Sequence, residues 1–150
     1  MARTSDQNDD GVKLDDFLCF AIYSANHALN RVYKPLLDAI GLTYTQYIAM
    51  VSLWEQDDQT VGSLGEKLFL ESSTLTPVLK RLETLDLVKR TRDKADERVV
   101  RVKLTSSGRA LQERAKSIPP CILEASGLEM SELTALKTEI ATLRSSLLKA

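Results

Sequence analysis

Few side chains in this sequence can do covalent chemistry. The 150 residues include two cysteines and one histidine. Cys19 sits among Phe17, Leu18 and Phe20, just after Asp15 and Asp16. A cysteine thiolate is a strong nucleophile and the first rung of the oxidation ladder. Near the start of a helix, the helix N-terminus would favour that thiolate, while Asp15 and Asp16 oppose it. All four tyrosines fall between positions 23 and 47. A phenol can hydrogen-bond a thiolate and favour its charged form. Tyr23 lies one helical turn after Cys19, on the same face. Tyr33 and Tyr44 are out of local reach and would need tertiary or dimer contacts. The same residues also allow a structural reading, in which Cys19 is a small buried hydrophobe and the tyrosines fill a core.

Other chemistries find no support. Cys19 and Cys121 are 102 positions apart, which is neither a disulfide framework nor zinc-ligand spacing. His27 alone cannot build a metal cluster and reads as a polar helix residue. No carboxylate pair, Ser/His/Asp set or Gly-rich phosphate loop marks a hydrolase or kinase. The expectation is a non-enzyme without metal or cofactor.

A second kind of chemistry lies in the charge distribution. The formal net charge is only −1, with 43% hydrophobic and 27% charged residues. Residues 80–103 carry nine basic and five acidic groups, whereas residues 1–79 carry five and eleven. Phosphate responds to that local block rather than to the total. No apolar run reaches the roughly 18 residues of a membrane span. The polar, acidic first sixteen residues do not resemble a secretory signal. With so few cysteines, the reducing cytoplasm is the expected compartment.

The elements needed to position these groups follow from periodicity. Residues 1–13 read as a disordered tail. A helix capped by Asp15 or Asp16 is expected to run to about Leu37. Thr43 and Gln46 have capping-box spacing and open a second helix through Trp54, ending in an Asp57–Gln59 turn. A short helix at about 62–68 precedes one capped by Ser72 or Ser73 and reaching about Leu85, with Pro77 in its first turns. Val88 to Leu104 then alternates with period two, predicting a two-stranded hairpin around a polar turn. Thr105 caps a further helix, which Pro119 and Pro120 interrupt just before Cys121. Ser131 caps the last helix, with Leu133, Leu136, Ile140, Leu143 and Leu147 on one stripe.

The expected fold is mainly α with a small β-hairpin wing, a winged helix-turn-helix over about 45–104. Such a unit reads DNA with short polar side chains at the start of its second helix. Here those are Ser72, Ser73, Thr74 and Thr76. Helix N-terminal amides favour phosphate. Lys80 and Arg81 follow one to two turns later, and the wing adds Arg92 and Arg98 beside Lys89, Arg90 and Lys94. A wing-tip arginine suits a narrow minor groove. The flanking segments, about 15–40 and 105–149, carry apolar stripes too broad for one small core. Packing them against a second copy makes a homodimer within a single domain over 14–150. Its twofold symmetry would require palindromic double-stranded DNA.

The segments DFLCFAIYSANHALNRVYKPLLDAIGLTYTQYIAMVSLWE, LFLESSTLTPVLKRLE and DERVVRVKLTSSG resemble the organic-hydroperoxide-responsive repressors of the MarR family. The likeness covers roughly residues 15–148. LTPVLKRLE and DER-to-LTSSG resemble the wider group, and the Cys19–Tyr23 pattern with Tyr33 and Tyr44 resembles its peroxide sensors. Glu71 and Ser73 depart from the commoner Asp and Gly of those relatives. The resemblance implies that Cys19 is the peroxidatic sensor and that Tyr33 and Tyr44 hold it from the partner subunit. It also implies that Cys121 resolves the oxidised sensor as an intersubunit disulfide. The expected protein binds its operator when reduced and leaves it when an organic hydroperoxide oxidises Cys19. Two other readings are a MarR-type repressor released by a reversibly bound aromatic ligand, and a thiol peroxidase.

Overall fold

The computed structural model describes residues 11–150, so the tail expected over 1–13 lies outside the described residues except for its last three positions. A single 3-10 turn, Leu14–Asp16, leads into α1, Leu18–Asp38. Asp15 and Asp16 do not cap that helix as expected. They belong to the separate turn, and the extended Phe17 is the capping position, with no side-chain cap bond. Pro35 stays inside the last turn of α1 and does not end it. Only Leu37 of this long helix is buried.

Helix α2, Tyr44–Glu55, begins with the expected capping box. The Gln46 amide donates to Thr43 Oγ1 at 3.3 Å and the Thr43 amide to Gln46 Oε1 at 3.0 Å. It is followed by strand β1, Gln59–Thr60, and helix α3, Val61–Leu68. Helix α4 spans Ser72–Thr84 and strands β2 and β3 span Val88–Arg92 and Val100–Leu104. The expected hairpin is therefore part of a three-stranded antiparallel sheet in the order β1-β3-β2. Gln59 pairs with Val102 on one side and Arg90 pairs with Val102 on the other. Helix α5 covers Ser106–Ala115, with Thr105 as its cap. Pro119 and Pro120 do not simply break a helix. They sit in the first turn of a new one, α6, Ile118–Ser126, where a missing amide hydrogen is harmless. Helix α7 spans Met130–Leu147 and is capped at Glu129 rather than Ser131.

Met50, Leu53, Leu64, Leu75, Leu79, Leu82, Val88, Val102 and Ile118 form the fully buried centre. It ties α2, α3, α4 and the sheet into one unit, each such side chain contributing roughly 1.5–3 kcal/mol by leaving water. The turn between α3 and α4 is fixed by close backbone approach. The Leu70 amide donates to the Gly65 carbonyl at 2.9 Å. A Cβ on Gly65 would lie 2.7 Å from the Leu70 oxygen, so only glycine fits there without a shift. Outside this unit, α7 has no buried residue, and Leu136, Ile140 and Leu147 stand exposed with Leu18, Ile22 and Leu29 of α1.

Candidate nucleic-acid interface and thiol site

Helix α4 starts one residue earlier than the serine-cap rule predicts. Glu71 takes the capping position without a side-chain bond, and Ser72, Ser73 and Thr74 form the first turn. All three are exposed, as are Lys80 and Arg81 further along, while Leu75, Leu79 and Leu82 face the core. Thr76 is half-buried, and its hydroxyl donates to the Ser72 carbonyl at 2.7 Å. Pro77 occupies the sixth helical position, where its ring removes one backbone donor.

The wing stands beside this helix because specific bonds hold it there. The Arg90 amide donates to Glu83 Oε2 at 2.8 Å, joining β2 to α4. That amide, more than the guanidinium, holds the Glu83 carboxyl below its ordinary range. Arg101 on β3 donates to Asp58 at 2.8 Å and to Asp93 at 3.1 Å, bracing the wing against the β1 turn. At the tip, Arg92 donates to the Glu97 carbonyl at 2.8 Å. Arg98 pairs with Asp96 at 3.1 Å, and this contact lowers the Asp96 carboxyl. The Arg98 side chain is 90% exposed, so the pair is screened by solvent and leaves the guanidinium available to another anion. A groove of about 370 Å³ between the two parts is lined by Thr60, Gly62, Ser72, Thr76, Arg90 and Arg98. Hydroxyls, the start of α4 and wing cations thus converge on one face, the donor set that a phosphate backbone requires.

Cys19 lies near the start of α1 and Tyr33 near its end. Cys19 and Cys121 are free thiols, Cys19 exposed and Cys121 half-buried in the first turn of α6, which packs on α1. Tyr23 is exposed and its ring meets His27 edge-on at 4.4 Å. Tyr33 and Tyr44 come together at 5.0 Å. Fourteen residues of helix separate Cys19 from Tyr33, about 21 Å along the axis. The structure unites the tyrosine pair but holds it away from the cysteine of the same chain.

Tyr47 is a member of this cluster that its place on the core-facing stripe of α2 concealed. It is buried, yet its ring lies 6.1 Å from Tyr33. Its spacing of three from Tyr44 on one helix was the available signal. Burial, with smaller contributions from Tyr44 and Tyr47, pushes the Tyr33 phenol up to about 12 from its ordinary 10.0. Tyr33 therefore remains a neutral hydrogen-bond donor at any physiological pH. The native state keeps this proton after the unfolded chain has lost it, so stability falls as pH rises from 10.0 through about 12. Denaturant midpoints across that range are expected to fall for wild type and to fall less for Tyr33→Phe. Equal slopes would show that burial at Tyr33 is not responsible.

Among the described residues, no cluster of His, Cys, Asp and Glu could hold a metal ion, and no helix is long and apolar enough to cross a membrane. The fold and the hydroxyl-rich, cationic face define a winged-helix regulator of transcription. Residues 31–114 match the family described as transcriptional regulator SarA/Rot. The chain is 44% identical to the organic hydroperoxide resistance transcriptional regulator of Bacillus subtilis over 89% of its own length and 91% of that protein. The structure of reduced AbfR bound to DNA, from Staphylococcus epidermidis, superposes with a TM-score of 0.73 at 35% identity, covering 89% of this chain and 93% of that one. Disulfide-formed AbfR superposes with a TM-score of 0.60 at 37% identity, covering 87% and 86%. The chain belongs to the MarR/SarA family of transcriptional regulators.

Proposed function

We propose that this protein is a homodimeric, DNA-binding repressor that an organic hydroperoxide switches off through Cys19 and then Cys121. It acts in the cytoplasm as a stoichiometric sensor rather than as a catalyst. The observation that carries the reading is the division of α1. An exposed thiol lies at one end and the edge-on Tyr33–Tyr44 pair about 21 Å away at the other. One chain cannot close that distance along a rigid helix. A second copy, antiparallel across α1, brings Tyr33 and Tyr44 of one protomer to Cys19 of the other, with Tyr23 beside it.

The exposed apolar stripes of α1 and α7 support that dimer. They flank a groove of about 840 Å³ lined by Leu29, Leu133, Leu136 and Ile140. Segments 15–40 and 105–149 would form the dimer layer and 45–104 the reading unit of a single domain. Ser72, Ser73, Thr74 and Thr76 would meet base edges and phosphate from the major groove. Lys80 and Arg81 would bind the backbone, and Arg92 and Arg98 would reach from the wing toward the minor groove.

The redox step balances as follows. The Cys19 thiolate attacks the terminal oxygen of the hydroperoxide, the O–O bond breaks, and the alcohol leaves with a proton from water. Cys19 is then a sulfenic acid. The Cys121 thiolate of the partner attacks that sulfur, hydroxide leaves and is protonated to water, and an intersubunit disulfide remains. A thiol reductant restores both cysteines. The disulfide draws the two ends of the dimer layer together and turns the reading units away from half-sites spaced about 34–36 Å apart. The 44% identical relative is an organic hydroperoxide resistance regulator, and AbfR has reduced DNA-bound and disulfide forms, which supports this reading.

Nonreducing electrophoresis after cumene hydroperoxide treatment tests it. Wild type is expected to give a covalent dimer that a reductant removes, and Cys121→Ser to give none. A covalent dimer persisting in Cys121→Ser would rule out the resolving role.

A further inference from the structure

Phe69 is the one large aromatic that the fold leaves both strained and exposed. It ends α3 in the left-handed region, at φ +56°, where glycine is the ordinary choice. A phenylalanine pays a steric cost in that conformation. Burial does not offset it, because the residue is 54% exposed. Its ring is covered instead by the Arg144 guanidinium, 4.0 Å from the centroid. Arg144 itself is exposed on α7, and among the described residues it forms no salt bridge. The contact joins two elements 75 positions apart, one in the proposed dimer layer and one in the reading unit.

Its location gives it leverage. Phe69 lies three residues before α4, and the tight Gly65–Leu70 bond makes the turn stiff. A displacement of α7 would therefore bear on the root of the reading helix. In a dimer the two reading helices must match half-sites on one face of DNA, and a single base-pair step changes their separation by about 3.4 Å.

We propose that Arg144, acting through Phe69, is a positioning residue that sets the separation of the two reading helices and so the half-site spacing the dimer accepts. This rests on the dimeric, DNA-binding reading above. It adds a residue that touches no base and still determines which operators are bound.

The test uses the reduced full-length protein and the inverted repeat that wild type selects from random duplexes. Kd is measured on that repeat and on versions with one or two base pairs inserted or deleted at the dyad. Wild type is expected to favour the selected spacing. Arg144→Ala is expected to lose about twofold to fivefold of that preference per subunit, the range of an exposed cation–π contact. Phe69→Gly, which keeps the left-handed turn and removes the ring, should do the same. Phe69→Trp should preserve the preference, and Arg144→Lys should retain part of it. Dimer mass and affinity for an isolated half-site should stay at wild-type values. A spacing profile in Arg144→Ala and Phe69→Gly equal to that of wild type overturns the inference, as does an equal loss at every spacing. Absence of any spacing preference in wild type overturns the dimeric reading itself, a different result.

Discussion

Cys19→Ser protein is expected to bind its inverted repeat as tightly as wild type and to stay bound when an organic hydroperoxide is added. Two physical points set that expectation. The thiol and a hydroxyl are close in size and both accept a hydrogen bond from a phenol, so the exchange is expected to cost no more than about 1 kcal/mol of stability. The reaction, by contrast, is lost completely, because a serine hydroxyl is not ionised at neutral pH and does not attack the O–O bond. Fluorescence anisotropy on labelled duplex should show release of wild type and a change of less than about twofold in the variant. The same variant separates the competing mechanisms. A regulator released by a reversibly bound aromatic compound would still let go of DNA when Cys19 is serine. A thiol peroxidase would consume hydroperoxide steadily in the presence of thiol reductant, whereas a sensor consumes about one equivalent per oxidised cysteine. Release of Cys19→Ser by hydroperoxide would remove Cys19 from the mechanism.

The parts of the fold that sequence discloses are those whose signal is local. The Thr43–Gln46 capping box, the Thr105 cap and the period-two run from Val88 to Leu104 depend on neighbours a few residues apart, and each is present in the structure. Strand β1 is only Gln59–Thr60, too short and too polar for an alternating pattern, and it exists because β3 offers it an edge. The serine caps expected at Ser72 or Ser73 and at Ser131 lose to Glu71 and Glu129. At α7 the Glu129 amide donates to Glu132 Oε1 at 3.3 Å, which fixes the helix start ahead of Ser131, whereas Glu71 makes no side-chain cap bond.

The candidate site divides in the same way. Cys19 and Tyr23 share a face by spacing alone, and the basic block is visible as charge along the chain. The Tyr33–Tyr44 pair, the approach of Tyr47 and the bracing of the wing by Arg101 against Asp58 require tertiary structure. The contact between Phe69 and Arg144 had no local signal at all, since neither side chain is unusual in its own segment.

Gly108→Ala is expected to be strongly destabilising, more so than the same change at Gly62 or Gly65. By helix propensity alone it should stabilise α5 by about 1 kcal/mol. Geometry reverses the sign. A Cβ at position 108 would lie 2.0 Å from the Leu87 carbonyl oxygen and 3.0 Å from its carbon. That carbonyl cannot withdraw, because it accepts from the Thr105 amide at 3.0 Å while the Leu87 amide donates to Leu82 at 3.0 Å. Gly108 cannot withdraw either. Its amide donates to the Thr105 cap at 3.0 Å, and its carbonyl accepts from Trp54 Nε1 at 2.8 Å. The two atoms in closest conflict are backbone, with the Leu104 side chain behind them at 3.3 Å, so relief requires moving α5 against the α4–β2 junction. Such overpacking destabilises by about 3 kcal/mol or more, which is roughly 10 °C of melting temperature in a domain of this size. Gly62→Ala is the control, because its nearest contact would be Thr60 Oγ1 at an ordinary 3.9 Å. Thermal melts of the two variants should differ by most of that interval, and equal melting temperatures would show that the Leu87–Thr105 bond yields. DNA affinity carries the same information from another side. Helix α5 joins the reading unit to the proposed dimer layer, so a shift there should weaken binding even in the fraction of Gly108→Ala that remains folded.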